Sequence, residues 1–403
     1  MTIIHAPWLF DGVKVHRNLA VAYDRKIVAV EPFEILETRF PEAETIRLDA
    51  DRLLMPGLVN PHVHLEFGAN TTHLRYGDFM AWLQSVIEKR DELIDACRAA
   101  CYKGQVEAML QSGTTAFGAI SSYGKDLVAC KAAPQRVVFF NEAIGSQPAA
   151  VDALYSDFMQ RFEASAKAAD ARFIPAVAIH SPYSVHPVLM RKILSEIPDA
   201  PLTAHFMESP AEKAWLERGE GPFRDFFEKF LGQSRPLQTP GQFLDSLDRP
   251  ALLTHAVQAD ETLLETIAQK GHTVIHCPRS NRLLGCGRLA VEKLNEKGIP
   301  WFPGTDGLSS NTSLNLWEEM RAALMLHYRA PLEEVARRLL RGATADAAEA
   351  LKLPVGRLEA GYGADLIVVA LPDAPDDAAQ VPLQALLHTK KAETVIIEGE
   401  QHA

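Results

Sequence analysis

Two histidines one residue apart, His62 and His64, close an apolar run that reads "LLMPGLVNPHVHLEF". In an extended strand alternate side chains share a face, which sets these imidazoles about 6–7 Å apart on one side, where both can reach a single cation. Taken alone, such a pair is equally well explained by packing. It does not stand alone, because other apolar runs also end in ligand-type residues. His180 ends "FIPAVAIH", His205 and Glu208 lie in "LTAHFME", His255 in "ALLTHAVQ" and Asp306 in "IPWFPGTDG". A divalent cation held by neutral imidazoles and a carboxylate keeps a net positive charge and lowers the pKa of bound water from about 15.7 towards about 7. Nitrogen-rich ligation suits zinc and also ferrous iron. Glu208, three residues beyond His205, is placed to reach the same water and move its protons without being a ligand.

Residues on separate runs meet only if the fold gathers the run ends. Eight apolar runs, near 53–67, 114–121, 136–145, 173–180, 202–208, 251–258, 272–278 and 299–307, alternate with helical patterns. That alternation predicts an α/β fold with a parallel sheet, and eight strands fit a closed (β/α)8 TIM-like barrel. An open doubly wound sheet would carry a GxGxxG turn after its first strand, and none is present. In a barrel the C-terminal strand ends face one mouth, which is where the polar residues fall. Short β-like runs at both ends of the chain predict a small β-sandwich domain built from residues 1–52 and 351–403, around a barrel of residues 53–350.

Composition narrows the class further. An apolar share of 47% with 23% charged residues is globular, and a net charge of −11 argues against nucleic acid or an anionic membrane as partner. No run reaches the roughly 20 apolar residues of a spanning helix, and the start does not read as a signal peptide, so a cytoplasmic location is expected. Five cysteines (97, 101, 130, 277 and 286), an odd number without a CxxC pair, argue against a disulfide scaffold or a structural zinc knot. The expected partner is a small molecule, and the reading leaves room for a homo-oligomer.

The segments "PGLVNPHVH" (56–64), "HSPYSV" (180–185), "HFMES" (205–209), "CPRSN" (277–281), "GTDGLSSN" (304–311) and "GRLEAGYGADLIVV" (356–369), in this order, resemble the amidohydrolase superfamily in its deaminase and chlorohydrolase branch. The resemblance implies that His62, His64, His205 and Asp306 bind one divalent metal ion, Zn or Fe(II). It also implies that His255 and Asp306 act on the attacking water and that Glu208 shuttles protons. Binuclear members carry a bridging lysine at the end of strand four; His180 stands there instead, which favours a single ion. Four longer segments (62–67, 204–227, 277–287 and 305–322) resemble the aminodeoxyfutalosine deaminases of the futalosine route to menaquinone. That resemblance implies conversion of the 6-amino group of an adenine nucleoside to 6-oxo with release of ammonia.

Substrate contacts are read more loosely. Glu66 either accepts hydrogen bonds from sugar hydroxyls or supports a ligand, and His180 is placed to touch sugar or base. Glu208 also faces the substrate. The resemblance also implies a substrate whose ribose-derived linker ends in a benzoate, and Arg282, with Arg279 as competitor, is a candidate fork for that carboxylate. Trp82 lies on an amphipathic helical pattern, as core or as pocket wall, and Cys277 reads as a small buried hydrophobe. Two alternatives remain: a deaminase of methylthioadenosine, S-adenosylhomocysteine or another aminopurine, and a metal-free barrel serving as a scaffold. The second would have to bury this polar cluster without a cation to satisfy it, at a cost in free energy.

Overall fold

A computed structural model describes residues 1–69 and 72–403. Eight strands pair in chain order as one parallel sheet: Leu58–His64, Thr114–Ser121, Arg136–Ala143, Phe173–Ile179, Leu202–Phe206, Leu252–His255, Thr273–His276 and Trp301–Pro303. Every crossover between them carries at least one helix, so all eight runs expected as barrel strands are strands. They are called the first to eighth barrel strands here. Most are buried on both faces, as parallel strands under helices must be, which explains the near-continuous apolar runs such as Arg136–Ala143. The seam between the eighth strand and the first is closed by the chain just beyond Pro303. There the Asp306 amide donates to the His62 carbonyl at 3.1 Å, and Asn60 Nδ2 donates to Thr305 Oγ1 at 2.7 Å.

A mixed sheet is built from both termini. Arg52–Pro56 lies at its centre, parallel to Thr2–Phe10 on one side and antiparallel to Leu366–Ala370 on the other. The apolar run expected as one strand over 53–67 therefore divides at Gly57, its first half serving the terminal sheet and its second half the barrel. The division needs a glycine: a Cβ at position 57 would meet Thr115 Oγ1 at 2.0 Å.

Two further features bear on the site. Ser209 caps the helix Pro210–Arg218 by accepting from the Glu212 amide, with a proline at the first turn, so the chain turns into the helix directly after Glu208. Cys97 and Cys101 form a disulfide at the corner between the helices Phe79–Ala96 and Ala99–Gln111. The cysteine count argued against a disulfide framework, and this bridge is not one: it spans a sequence separation of 4 and staples a single corner. Cys130, Cys277 and Cys286 are free and buried. Among the described residues no helix is long and apolar enough to cross a membrane.

Barrel and terminal sheet are tied by a buried ion pair. Arg136, at the start of the third strand, donates from Nε to Asp365 Oδ2 at 2.8 Å and from Nη2 to Oδ1 at 3.1 Å. Both residues are buried. Removing one partner strands a charge away from water, which costs about 3–5 kcal/mol, whereas replacing both by apolar groups costs much less. Arg136→Met should therefore melt several degrees below the parent in a circular-dichroism scan. Adding Asp365→Leu should recover part of the loss. An Arg136→Met protein melting with the parent would show that the pair does not hold the two sheets together.

Candidate active site

Strand ends that gather at one mouth bring their terminal side chains together, and four of them form a compact donor set. The ligand atoms of His62, His64, His205 and Asp306 lie within 4.8 Å of one another. His64 Nε2 is 3.2 Å from His205 Nε2, and both His62 Nε2 and His64 Nε2 are 3.6 Å from Asp306 Oδ1. Donors about 2.0–2.1 Å from a tetrahedral ion stand roughly 3.4 Å from each other, so the spacing suits a cation at their centre. The chemistry of the donors agrees. His205 Nδ1 donates to the His180 carbonyl at 3.0 Å, which leaves its Nε2 lone pair facing the cluster. His62 Nε2 is buried and has no hydrogen-bond partner. Burial pushes His64 down to about 3 and His205 well below the usual imidazole range, so both rings are neutral. These residues fit a divalent cation.

Asp306 is built to be the anionic member. Its Oδ2 accepts from Ser280 Oγ at 2.7 Å and Ser310 Oγ at 2.8 Å, while Oδ1 accepts from the Gly307 amide at 2.9 Å. Burial works to raise its pKa, but the closeness of His62 and the other imidazoles holds the carboxyl well below the ordinary range. Asp306 and His255 both have left-handed backbones, φ 59° and 77°. Such conformations cost a non-glycine residue about 1–3 kcal/mol and persist only where surrounding structure enforces them. The enforcement here includes the seam bond to Asp306 and, beside His255, the Ala256 amide donating to the Phe206 carbonyl at 2.8 Å.

Glu208 and His255 face each other beside the donor set, His255 Nε2 lying 3.6 Å from Glu208 Oε1. His255 Nδ1 donates to Asn281 Oδ1 at 2.8 Å, so its buried Nε2 carries a lone pair. Burial pushes His255 down to about 4. Burial, then the charges of Asp306 and Glu212, raise the Glu208 carboxyl well above its usual value. Glu212 fixes the backbone behind it, accepting from the Met207 and Glu208 amides at 3.0 and 2.7 Å. The result is a buried carboxyl with a raised pKa facing the His255 ring.

The cluster forms the floor of a cavity of about 470 Å³, in the range of small-molecule sites. His64, His180, His205, Glu208, His255 and Asp306 line it, and an aromatic wall of Phe67, Phe79, Trp82, Phe223, Phe226 and Phe227 rises above them. Trp82 is pocket wall, with Nε1 donating to the Ser309 carbonyl at 2.8 Å. His180 reaches the cavity with its Nδ1 held by Ser184 Oγ at 2.5 Å.

Two expected contacts are not brought to the cavity. The Glu66 carboxylate is buried and accepts from the Ser122, Tyr123 and Lys125 amides at 2.7, 3.0 and 3.0 Å, so it anchors the loop after the second strand. Arg282 is exposed and outside the lining, because the short helix Pro278–Leu283 turns Ser280 and Asn281 towards the site and the next residue towards solvent. Arg279 is occupied by Glu318 and Ser313.

Sequence reasoning missed Glu142, at the end of the third strand. It lines the cavity, accepts from Ser122 Oγ at 2.5 Å, and keeps Oε1 buried without a partner. Burial raises it to about 7. Its position at a strand end, like those of the histidines, was the available signal. Glu142, His180 and His205 also approach one another, but His205 has spent its Nδ1 on the His180 carbonyl, so its lone pair serves only the first group.

The sequence model of the amidohydrolase family matches residues 53–401. The chain is 44% identical over 405 residues to the aminodeoxyfutalosine deaminase of a Nitratiruptor species, an alignment covering 100% of this chain and 99% of that one. It is 32% identical to an adenosine deaminase of Helicobacter pylori, covering 97% and 96%. Among solved structures, Helicobacter pylori aminofutalosine deaminase in complex with methylthio-coformycin superposes with a TM-score of 0.94 at 31% identity, each chain covered in full. With this match over most of its length, and the donor set at the barrel mouth, the chain belongs to the amidohydrolase family.

Proposed function

We propose that the protein is a metal-dependent hydrolytic deaminase that converts the 6-amino group of an adenine nucleoside to 6-oxo, with aminodeoxyfutalosine as substrate. The observation that carries the chemistry is the pairing of Glu208 with His255, 3.6 Å apart, directly beside a four-donor cluster. The substrate assignment is supported by full-length similarity to a protein of that activity. His62, His64, His205 and Asp306 would hold one divalent ion, zinc or ferrous iron. When bound, that ion supplies Lewis-acid activation of the attacking water.

The remaining work falls to side chains of this chain. Glu208 takes the proton of the water that adds to C6 and delivers it to the ring nitrogen, making the carbon tetrahedral. It then carries a second proton to the amine as the C–N bond breaks, so that water and the aminopurine become the oxopurine and ammonia. The Nε2 lone pair of His255 orients the water, and Asn281 fixes which nitrogen presents it. The aromatic wall covers the apolar faces of the nucleoside and keeps bulk water off the reacting carbon.

Three outcomes test the reading. Asp306→Ala or His205→Ala should lose bound metal, measured by elemental analysis, and ammonia release together. Glu208→Gln should keep the metal while kcat falls by about 10²–10⁴-fold, the usual weight of a positioned proton carrier. Turnover of Glu208→Gln at the parent rate would refute the shuttle. Ammonia release and the ultraviolet shift of adenine to hypoxanthine should then rank aminodeoxyfutalosine above methylthioadenosine, S-adenosylhomocysteine and adenosine. A preference for adenosine would keep the chemistry and overturn the substrate.

A further inference from the structure

We infer that Arg90, with Tyr123 beside it, is the specificity-determining contact for the carboxylate on the substrate's aryl arm. This rests on the deaminase reading above. Among the described residues lining the cavity, Arg90 is the only lysine or arginine. The carboxyl groups of that lining, Glu142, Glu208 and Asp306, belong to the barrel strands and the turns that follow them. Arg90 instead comes from the helix Phe79–Ala96, which also contributes Phe79, Trp82 and Ile87 to the wall. An adenine seated over the floor therefore leaves the far end of a long ligand among apolar and aromatic groups with one cation within the same cavity.

The guanidinium is free to serve as a fork. Its Nε donates to the neighbouring Asp91 Oδ1 at 3.1 Å, an exposed contact of little strength. Tyr123 lines the same cavity, and its phenol and the guanidinium interact electrostatically. A carboxylate arriving there finds two guanidinium N–H groups and a phenol O–H as donors, an arrangement suited to charge-assisted, bidentate pairing. Tyr123 is held for this by Glu66, whose carboxylate receives the Tyr123 amide together with those of Ser122 and Lys125. Glu66 thus becomes a positioning residue acting through the loop.

The test compares aminodeoxyfutalosine with its neutral methyl ester, in the metal-loaded wild type and in Arg90→Met and Arg90→Lys. Arg90 is half exposed, so its replacement leaves the core intact, which a melting scan verifies. The wild type should favour the acid over the ester by about tenfold or more in kcat/KM, with the difference in KM. In Arg90→Met the ratio should fall towards one, and Arg90→Lys should restore part of it. A ratio that survives in Arg90→Met overturns the assignment while leaving the deaminase intact, and its collapse in Arg282→Met would return the role to that residue. A wild type that deaminates neither acid nor ester overturns the deaminase reading, and the anchor with it.

Discussion

The site depends on the closure of the seam between the last barrel strand and the first, where the Asp306 amide donates to the His62 carbonyl. It joins two residues separated by most of the chain and sets the single anionic donor beside the first of three imidazoles. Asp306 could not sit there in ordinary extended geometry, and its left-handed backbone is the local cost of the closure. Three donors from Ser280, Ser310 and Gly307 then lock the carboxylate in orientation. Every other feature of the floor is arranged around that point, including His255, whose backbone is strained in the same sense.

Burial does the electrostatic work once the geometry is closed. It drives His64, His205 and His255 towards the neutral form and Glu208 and Glu142 towards the protonated form. Neutral imidazoles are what a cation requires, and a carboxyl with a raised pKa is what a proton carrier near neutral pH requires. A scaffold would gain nothing from this. It would keep His62 Nε2 and His255 Nε2 buried without partners and hold two imidazole nitrogens 3.2 Å apart, at a cost that apolar residues of similar size avoid.

The barrel and its floor were legible because both follow short-range rules. Apolar runs of strand length separated by helical patterns count the strands, and a ligand-type residue closing such a run must emerge at the mouth. The features that were not legible depend on contacts between distant residues. The break at Gly57 is set by Thr115 across the sheet, which no local pattern reveals. The Cys97–Cys101 bridge forms because one helix ends at Ala96 and another begins at Ala99, a boundary that spacing alone does not give. Arg282 was expected at the cavity because it follows the seventh strand closely. Its true direction depends on the phase of a one-and-a-half-turn helix, and an error of a single residue rotates a side chain by about 100°.

The same contrast explains why chemistry and specificity differ in how easily they are read. The groups proposed to react sit at or just beyond strand ends, where the sheet dictates position residue by residue. The groups proposed to face the far end of the ligand sit on a crossover helix and a loop, where an arginine followed by an aspartate looks like any solvated surface pair. What places them is a tertiary contact, the Glu66 carboxylate gripping three amides of one loop from the opposite side. The Glu66 carboxylate is taken up by backbone donors and lies outside the cavity lining, so its position two residues beyond His64 serves the loop. On the proposed reading the barrel sets the reaction through its strands, and leaves the choice of substrate to segments that can change without disturbing the four-donor cluster.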